Sequence, residues 1–266
     1  MRTCMAVVLT SNPVTPGQAG RDRAPRSAVP VPSIDQSRPM MLLPTVLSLI
    51  AGSCDIISFI GLGGLFTAHI TGNLVVLIAR VGVGDNSPIS YVLSVPVFIA
   101  ALGLTTLLAG GLERVGIASL RPLLLLQFLL LSGFLALCVT TNSHVDPNAG
   151  TAVLAGMLGV SAMAVQNGLV QISVKGAPST AVMTTNITRF VMDLGAVLFE
   201  RNRDQAAKAA SRAKHTAPAI IGFAVGCGLG AGFEVVAGLW SLALPTGLAL
   251  LALLITLVTK LDGLAL

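Results

Sequence analysis

From Met41 onward the chain is a series of long apolar runs joined by short polar junctions, with none of the every-second-residue alternation of a half-buried strand. Eight runs stand out: Met41–Ile60 (A), Gly64–Val83 (B), Ile89–Gly110 (C), Pro122–Thr140 (D), Gly150–Val174 (E), Thr180–Phe199 (F), Ala217–Gly238 (G) and Leu239–Val258 (H). Each holds about 20 residues, which as a helix crosses the ~30 Å hydrocarbon core of a bilayer. Backbone groups in lipid are satisfied only within helices or closed barrels, and unbroken apolarity selects helices. The expected fold class is all-α, a polytopic helical membrane protein. Two junctions are tight: A and B are separated by Gly61-Leu62-Gly63-Gly64, and G meets H at Gly238. B and F are also weakly apolar. They are either full spans or parts of re-entrant hairpins, which gives eight crossings or six. Ahead of the first run, residues 1–40 hold six of the 14 prolines and five arginines and read as a disordered basic tail. Its apolar run Met5–Leu9 is too short for a signal peptide.

Composition strengthens this picture. Of the 266 residues, 54% are apolar and only 10% are charged, against about 25% charged in a soluble domain. A soluble enzyme and a disordered chain are both excluded. Seven of the charged residues lie in residues 1–40 and seven more in 200–214. The net charge of +5 is therefore two basic patches flanking apolar segments, a topology signal rather than a nucleic-acid footprint. With eight spans, one side carries 12 Lys and Arg and the other three, which places both termini in the cytoplasm. The cysteines Cys4, Cys54, Cys138 and Cys227 show no ligand spacing and read as small buried hydrophobes. No metal, cofactor or catalytic set is expected.

The sequence also repeats. Thr67-Ala68-His69-Ile70-Thr71-Gly72-Asn73 in B matches Thr180-Ala181-Val182-Met183-Thr184-Thr185-Asn186 in F, with four identities at an offset of 113. Asp55 in A falls on Asn167 in E at an offset of 112, and Phe98-x4-Gly103-Leu104 in C matches Phe223-x4-Gly228-Leu229 in G. The expected organisation is a first membrane repeat at 41–140 and a second at 150–259. Four segments per half is an even number, so the halves are expected to share one orientation about an axis along the membrane normal.

These residues carry a resemblance. Ala51-Gly52-Ser53-Cys54-Asp55 followed by Phe66 through Asn73 resembles the signature of the YoaK-like family of bacterial integral membrane proteins, built around a domain of unknown function. Ala162 through Asn167 is similar to that family's A-M-G-x-Q-N, and Thr180 through Arg189 to its T-T-x-x-T-G-x-x-x-R. Ala164 and Thr185 stand where the family has Gly. The resemblance covers about residues 41–260 and implies a bacterial inner-membrane protein without fixing a substrate.

Charge inside a membrane costs roughly 2.5–3.5 kcal/mol per residue on insertion scales, so intramembrane polar residues need a reason. Asp55, His69 and Asn73, with Asn167 and Asn186, fall at similar depths. His69 and Asn73 share a helix face, as do Asn186, Arg189 and Asp193. Arg189 and Asp193 are expected to neutralise each other. The run Thr71-Gly72-Asn73 is expected to interrupt its helix and expose backbone toward a cavity. The candidate substrate site is Asp55, His69, Thr71, Gly72, Asn73, Gln166, Asn167, Thr184, Asn186 and Arg189, with Asp55 or His69 carrying a coupling proton and Asp193 as a charge partner. Glu234 reads as an interfacial or packing residue, Gly222-x3-Gly226-x3-Gly230 as a packing face, and Tyr91 and Trp240 as interfacial aromatics. The leading expectation is a secondary transporter or permease for a small solute or ion. The alternative is a membrane scaffold, sensor or partner subunit whose polar residues are structural. The expected partners are the lipid bilayer and the solute, not nucleic acid; assembly with further copies of the chain is left open.

Overall fold

The computed structural model describes residues 38–84, 89–141, 148–174 and 176–259, all within one unit, Asp35–Leu266. The expected tail lies outside the described residues up to Ser37. The elements are α1 (Arg38–Gly61), α2 (Ile70–Gly82), α3 (Ile89–Arg114), α4 (Leu120–Thr141), α5 (Gly150–Ser173), α6 (Met183–Phe199), α7 (Arg203–Ala237), a 3₁₀ turn (Gly238–Leu242) and α8 (Ala243–Thr259). There is no strand among the described residues. Five helical stretches are long and apolar enough to cross a membrane: Leu42–Gly61, Ile89–Arg114, Leu120–Thr140, Gly150–Ser173 and Arg203–Val258. The last is bent at Gly238, whose φ of +58° stops α7, so the chain turns there into α8. This is a helical membrane protein.

Segments A, C, D, E and H appear within four residues of the expected bounds. G begins much earlier, because the Asn202 side chain accepts from the amides of Asp204 and Gln205 and the Ala-rich stretch that follows favours helix. B and F do not form full-length helices. Each is a non-helical return (residues 62–69 and 176–182) followed by a short helix of 13 or 17 residues.

Contacts fix the direction of every helix. Gly222, Gly226 and Gly230 of α7 lie against Thr45, Leu49 and Ser53 of α1 in register, so α1 and α7 run parallel. Asn148 accepts from the Ile89 amide at 3.3 Å, and Gly168 packs on Thr105, so α3 and α5 run parallel. The Ser119–Ser173 and Gln127–Gln166 bonds make α4 antiparallel to α5, and Arg121 to the Thr256 carbonyl with Thr246 to that of Leu131 makes α4 antiparallel to α8. Gln166 reaches the Leu47 carbonyl, whereas Gly159 meets Thr67, which Asp55 holds, so α1 and α5 are antiparallel. Helices α1, α4 and α7 thus point one way and α3, α5 and α8 the other. The expectation that both halves share one orientation is overturned. The reason is local: Arg80 near the end of α2 donates to the carbonyl of Gly63 at 3.2 Å, so α2 returns to the face where α1 ends. A hairpin that does not cross leaves an odd number of crossings in the first half.

Glycines on both helices let α1 and α7 approach backbone to backbone, Gly52 on α1 and Gly222, Gly226 and Gly230 on α7. A Cβ on Gly226 would collide with the Leu49 carbonyl, and one on Gly222 would sit 2.7 Å from that of Thr45. Small residues allow this backbone contact, which is a main source of helix association in lipid. Gly226→Val is expected to destabilise by about 1–3 kcal/mol. Gly228→Ala, where nothing lies within 4 Å, is expected to be neutral. Thermal unfolding in detergent checks both.

Candidate functional site

The first hairpin is built around one carboxylate. Asp55 lies six residues before the end of α1, about 9 Å below it. Residues 62–69 fold back to that depth, and their free backbone groups need partners that lipid cannot offer. Asp55 Oδ1 accepts from the Thr67 amide at 2.8 Å, the Ala68 amide at 2.6 Å and the Thr67 hydroxyl at 3.1 Å. Its Oδ2 meets His69 Nδ1 at 2.5 Å. An ionised carboxylate only accepts, so Nδ1 carries the proton and Nε2 is left open. The carboxylate is 5% exposed and the imidazole 37%. The ring packs edge-on to Phe66 and to Phe223 of α7.

Asn73 completes the hairpin. Its amide donates to the Phe66 carbonyl at 2.8 Å and its oxygen accepts from the Phe66 amide at 2.9 Å. The side chain thereby replaces a backbone partner for the returning strand. The interruption expected at Thr71-Gly72-Asn73 falls earlier, before Ile70. Those three residues form the first turn of α2, where Gly72 packs against the Phe66 ring. Tyr91 is buried rather than interfacial: its hydroxyl donates to Gly63 at 2.7 Å and Arg80 stacks over its ring. Trp240 is exposed.

The second hairpin uses the same device with neutral groups. Asn186 donates to the carbonyl of Ser179, seven residues upstream, as Asn73 does to Phe66. The group facing Thr180 is Gln166, not Asn167. Gln166 donates to the Thr180 hydroxyl at 3.0 Å and the Leu47 carbonyl at 2.9 Å, and accepts from Gln127 at 2.7 Å. Asn167 donates to Met163 of its own helix. The one-residue shift arises because position 166 is the one that α5 turns into the protein interior, where Gln166 is buried and Asn167 is not.

The expected Arg189–Asp193 pair does not form. Asp193 is buried on the α7 side of α6 and accepts from Arg212 Nε at 2.8 Å and Nη2 at 2.5 Å. Arg189 points away and is exposed, as are Thr184 and Thr71. Glu234 is buried and accepts from Ser241, closing the α7–α8 bend. The ten candidate residues therefore separate into a first cluster (Asp55, His69, Asn73, with Gly72), a second (Gln166, Asn186), an exposed set (Thr71, Thr184, Arg189) and Asn167, which bonds within its own helix. Sequence reasoning missed Thr67, Gln127 and Arg212 as partners. For Thr67 the signal was present, since it opens the repeated motif.

Residues 43–255 match the family described as a protein of unknown function (DUF1275). That span is most of the chain, which therefore belongs to this family of helical, membrane-like proteins. No curated protein and no solved structure matches it significantly.

Proposed function

We propose that this chain is an inner-membrane secondary transporter or permease for a small solute or ion, with six crossing helices and two re-entrant hairpins related as inverted repeats. Exchanging the halves maps the packed pairs onto one another: α1 with α7 onto α5 with α3, α1 with α8 onto α5 with α4, and α2 with α3 onto α6 with α7. Inverted repeats whose interrupted segments meet inside the membrane are a recurring plan among secondary transporters. The observation that carries the reading is the pair of non-helical returns at membrane depth, each held by an Asn seven residues on. Non-helical backbone at that depth is tolerated only inside protein or along a wet cavity.

Charge supports the orientation. Of the 16 Lys and Arg, Arg80 alone falls on the side where α1 ends. The tail, the α3–α4 turn, the second hairpin, the start of α7 and the C-terminal segment carry the others. Both termini are then cytoplasmic, on a stronger bias than eight crossings give. The Asp55–His69 pair is the candidate coupling site, because the carboxylate fixes one ring nitrogen and leaves the other to exchange a proton. The YoaK-like naming rests on the repeated motifs alone.

Purified protein screened against metabolites and ions is expected to gain thermal stability with the solute it carries, by preferential binding to the folded state. Proteoliposomes should take up that solute, and His69→Gln should abolish uptake driven by a proton gradient while leaving binding within a few-fold. A folded protein that neither binds nor moves any solute in the panel overturns the reading.

A further inference from the structure

We infer that the solute carries an anionic group, a carboxylate or a phosphate, and that the exposed polar face of α6 recognises it. The inference rests on the transport reading for the word solute, but the face itself is defined by geometry. The exposed surface of α6 changes character along its length. Thr184, Thr185, Thr188 and Arg189 are exposed in the first two turns after the non-helical return. Ile187 beside them and Val191, Met192, Leu194, Leu198 and Phe199 beyond them are exposed and apolar, as a lipid-facing surface requires.

Two comparisons give this face its meaning. Asp193, the acid nearest on the same helix, is turned away and held by Arg212, so it does not neutralise Arg189. Among the described residues Arg189 has no carboxylate partner. On α2, the repeat-related positions at the offset of 113 are Thr71, Gly72, Val75 and Val76. The first half therefore keeps one hydroxyl there and no charge, so the repeat does not require a cation. Arg189 also lies ten residues before the end of α6, about 15 Å along the helix, beyond easy reach of the headgroups. An exposed guanidinium at that depth facing lipid would be costly, whereas facing water it presents a fork suited to carboxylate or phosphate.

The test reads local charge selectivity without knowing the solute. Thr185→Cys is made in full-length protein with Cys4→Ser and Cys227→Ala; Cys54 and Cys138 are buried and stay. Its reaction rate is measured with anionic methanethiosulfonate ethylsulfonate and with the cationic trimethylammonium analogue, each relative to a free thiol. The protein is held in phosphatidylcholine nanodiscs. Thr185→Cys should favour the anionic reagent by about tenfold. Adding Arg189→Gln should remove that preference without slowing the cationic reagent. Thr71→Cys, on the uncharged counterpart, should show none. Thr184→Cys is the second reporter should Thr185→Cys fail to fold. No reaction with either reagent would mean a lipid-facing surface or a guanidinium occupied by a headgroup phosphate, and would overturn the inference. So would a preference that survives Arg189→Gln. Loss of transport activity in a protein that keeps this preference would sink the transport reading and leave the anion-selective face standing.

Discussion

Asp55→Ala should be the most damaging single substitution in the first hairpin, lowering stability by about 3–6 kcal/mol, the sum of several buried donors each left with a penalty of about 1–3 kcal/mol. The carboxylate serves the amides of Thr67 and Ala68, the Thr67 hydroxyl and the His69 ring, and both Thr67 and Ala68 are buried. For a domain of this size the loss corresponds to roughly 10–20 °C in Tm. Asp55→Asn is the informative companion. It keeps an oxygen of the same shape for the two amides and turns an NH2 toward His69, whose ring then accepts through the other tautomer. A loss of about 1–2 kcal/mol is expected. Thermal unfolding of both in detergent distinguishes a clamp from a spectator. Should Asp55→Ala melt within a degree or two of wild type, the carboxylate is not what holds the return at depth.

The two hairpins differ in a way that bears on their roles. The first is held by a charged group whose acceptor sites are filled, with one imidazole edge left exposed. The second is held by the neutral network Gln127–Gln166–Thr180, and Arg189 is its exposed charge. On the transport reading Asp55 would act through His69, as the group that orients it, because its own oxygens are taken by Thr67, Ala68 and His69. Along α1 the two tips are set apart: Asp55 holds one, and the Leu47 carbonyl, eight residues or about 12 Å away, sits beside the other. An arrangement with polar groups on either side of the midplane suits a solute passed between stations.

Much of the fold was legible because membrane helices are written in composition. The unbroken runs A, C, D, E and H located α1, α3, α4, α5 and α8, and the Gly222-x3-Gly226-x3-Gly230 spacing marked a packing face, whose partner α1 only the structure supplies. The candidate site was legible to the extent that its residues were out of place in lipid, as Asp55, His69 and the two motif asparagines are. What failed depended on direction and reach. Whether a 13-residue helix after a glycine-rich junction crosses or returns is decided by Arg80 and Tyr91 binding Gly63, contacts between residues 17 and 28 apart. No local pattern encodes that, and it decides how the two halves are related. The partner of Asp193 was misassigned because helical spacing favours Arg189 four residues back, whereas the buried side of α6 faces Arg212 on the next helix. Gln166 and Asn167 are adjacent in sequence, and only packing decides which of them faces Thr180.

Phosphatase fusions after Gly116 and after Asn148 should report opposite sides, with the first inactive and the second active. The α3–α4 turn holding Gly116 is flanked by Arg114 and Arg121, whereas residues 142–149 contain no Lys or Arg. Eight crossings require the reverse, because a crossing α2 places the α3–α4 turn outside and the α4–α5 junction inside. The two schemes agree on both termini and on the junction at Asn202, so fusions there decide nothing. Six crossings move Arg114, Arg121 and the Lys175 junction to the side of the basic tail, and insertion follows such short-loop bias strongly. Activity after Gly116 with none after Asn148 would restore α2 and α6 as crossing segments and remove the inverted relation of the halves. Hairpins that return to their own faces, by contrast, would leave the tips within residues 62–69 and 176–182 reaching inward from opposite sides. That placement is what a carrier needs in order to expose one site to each side in turn.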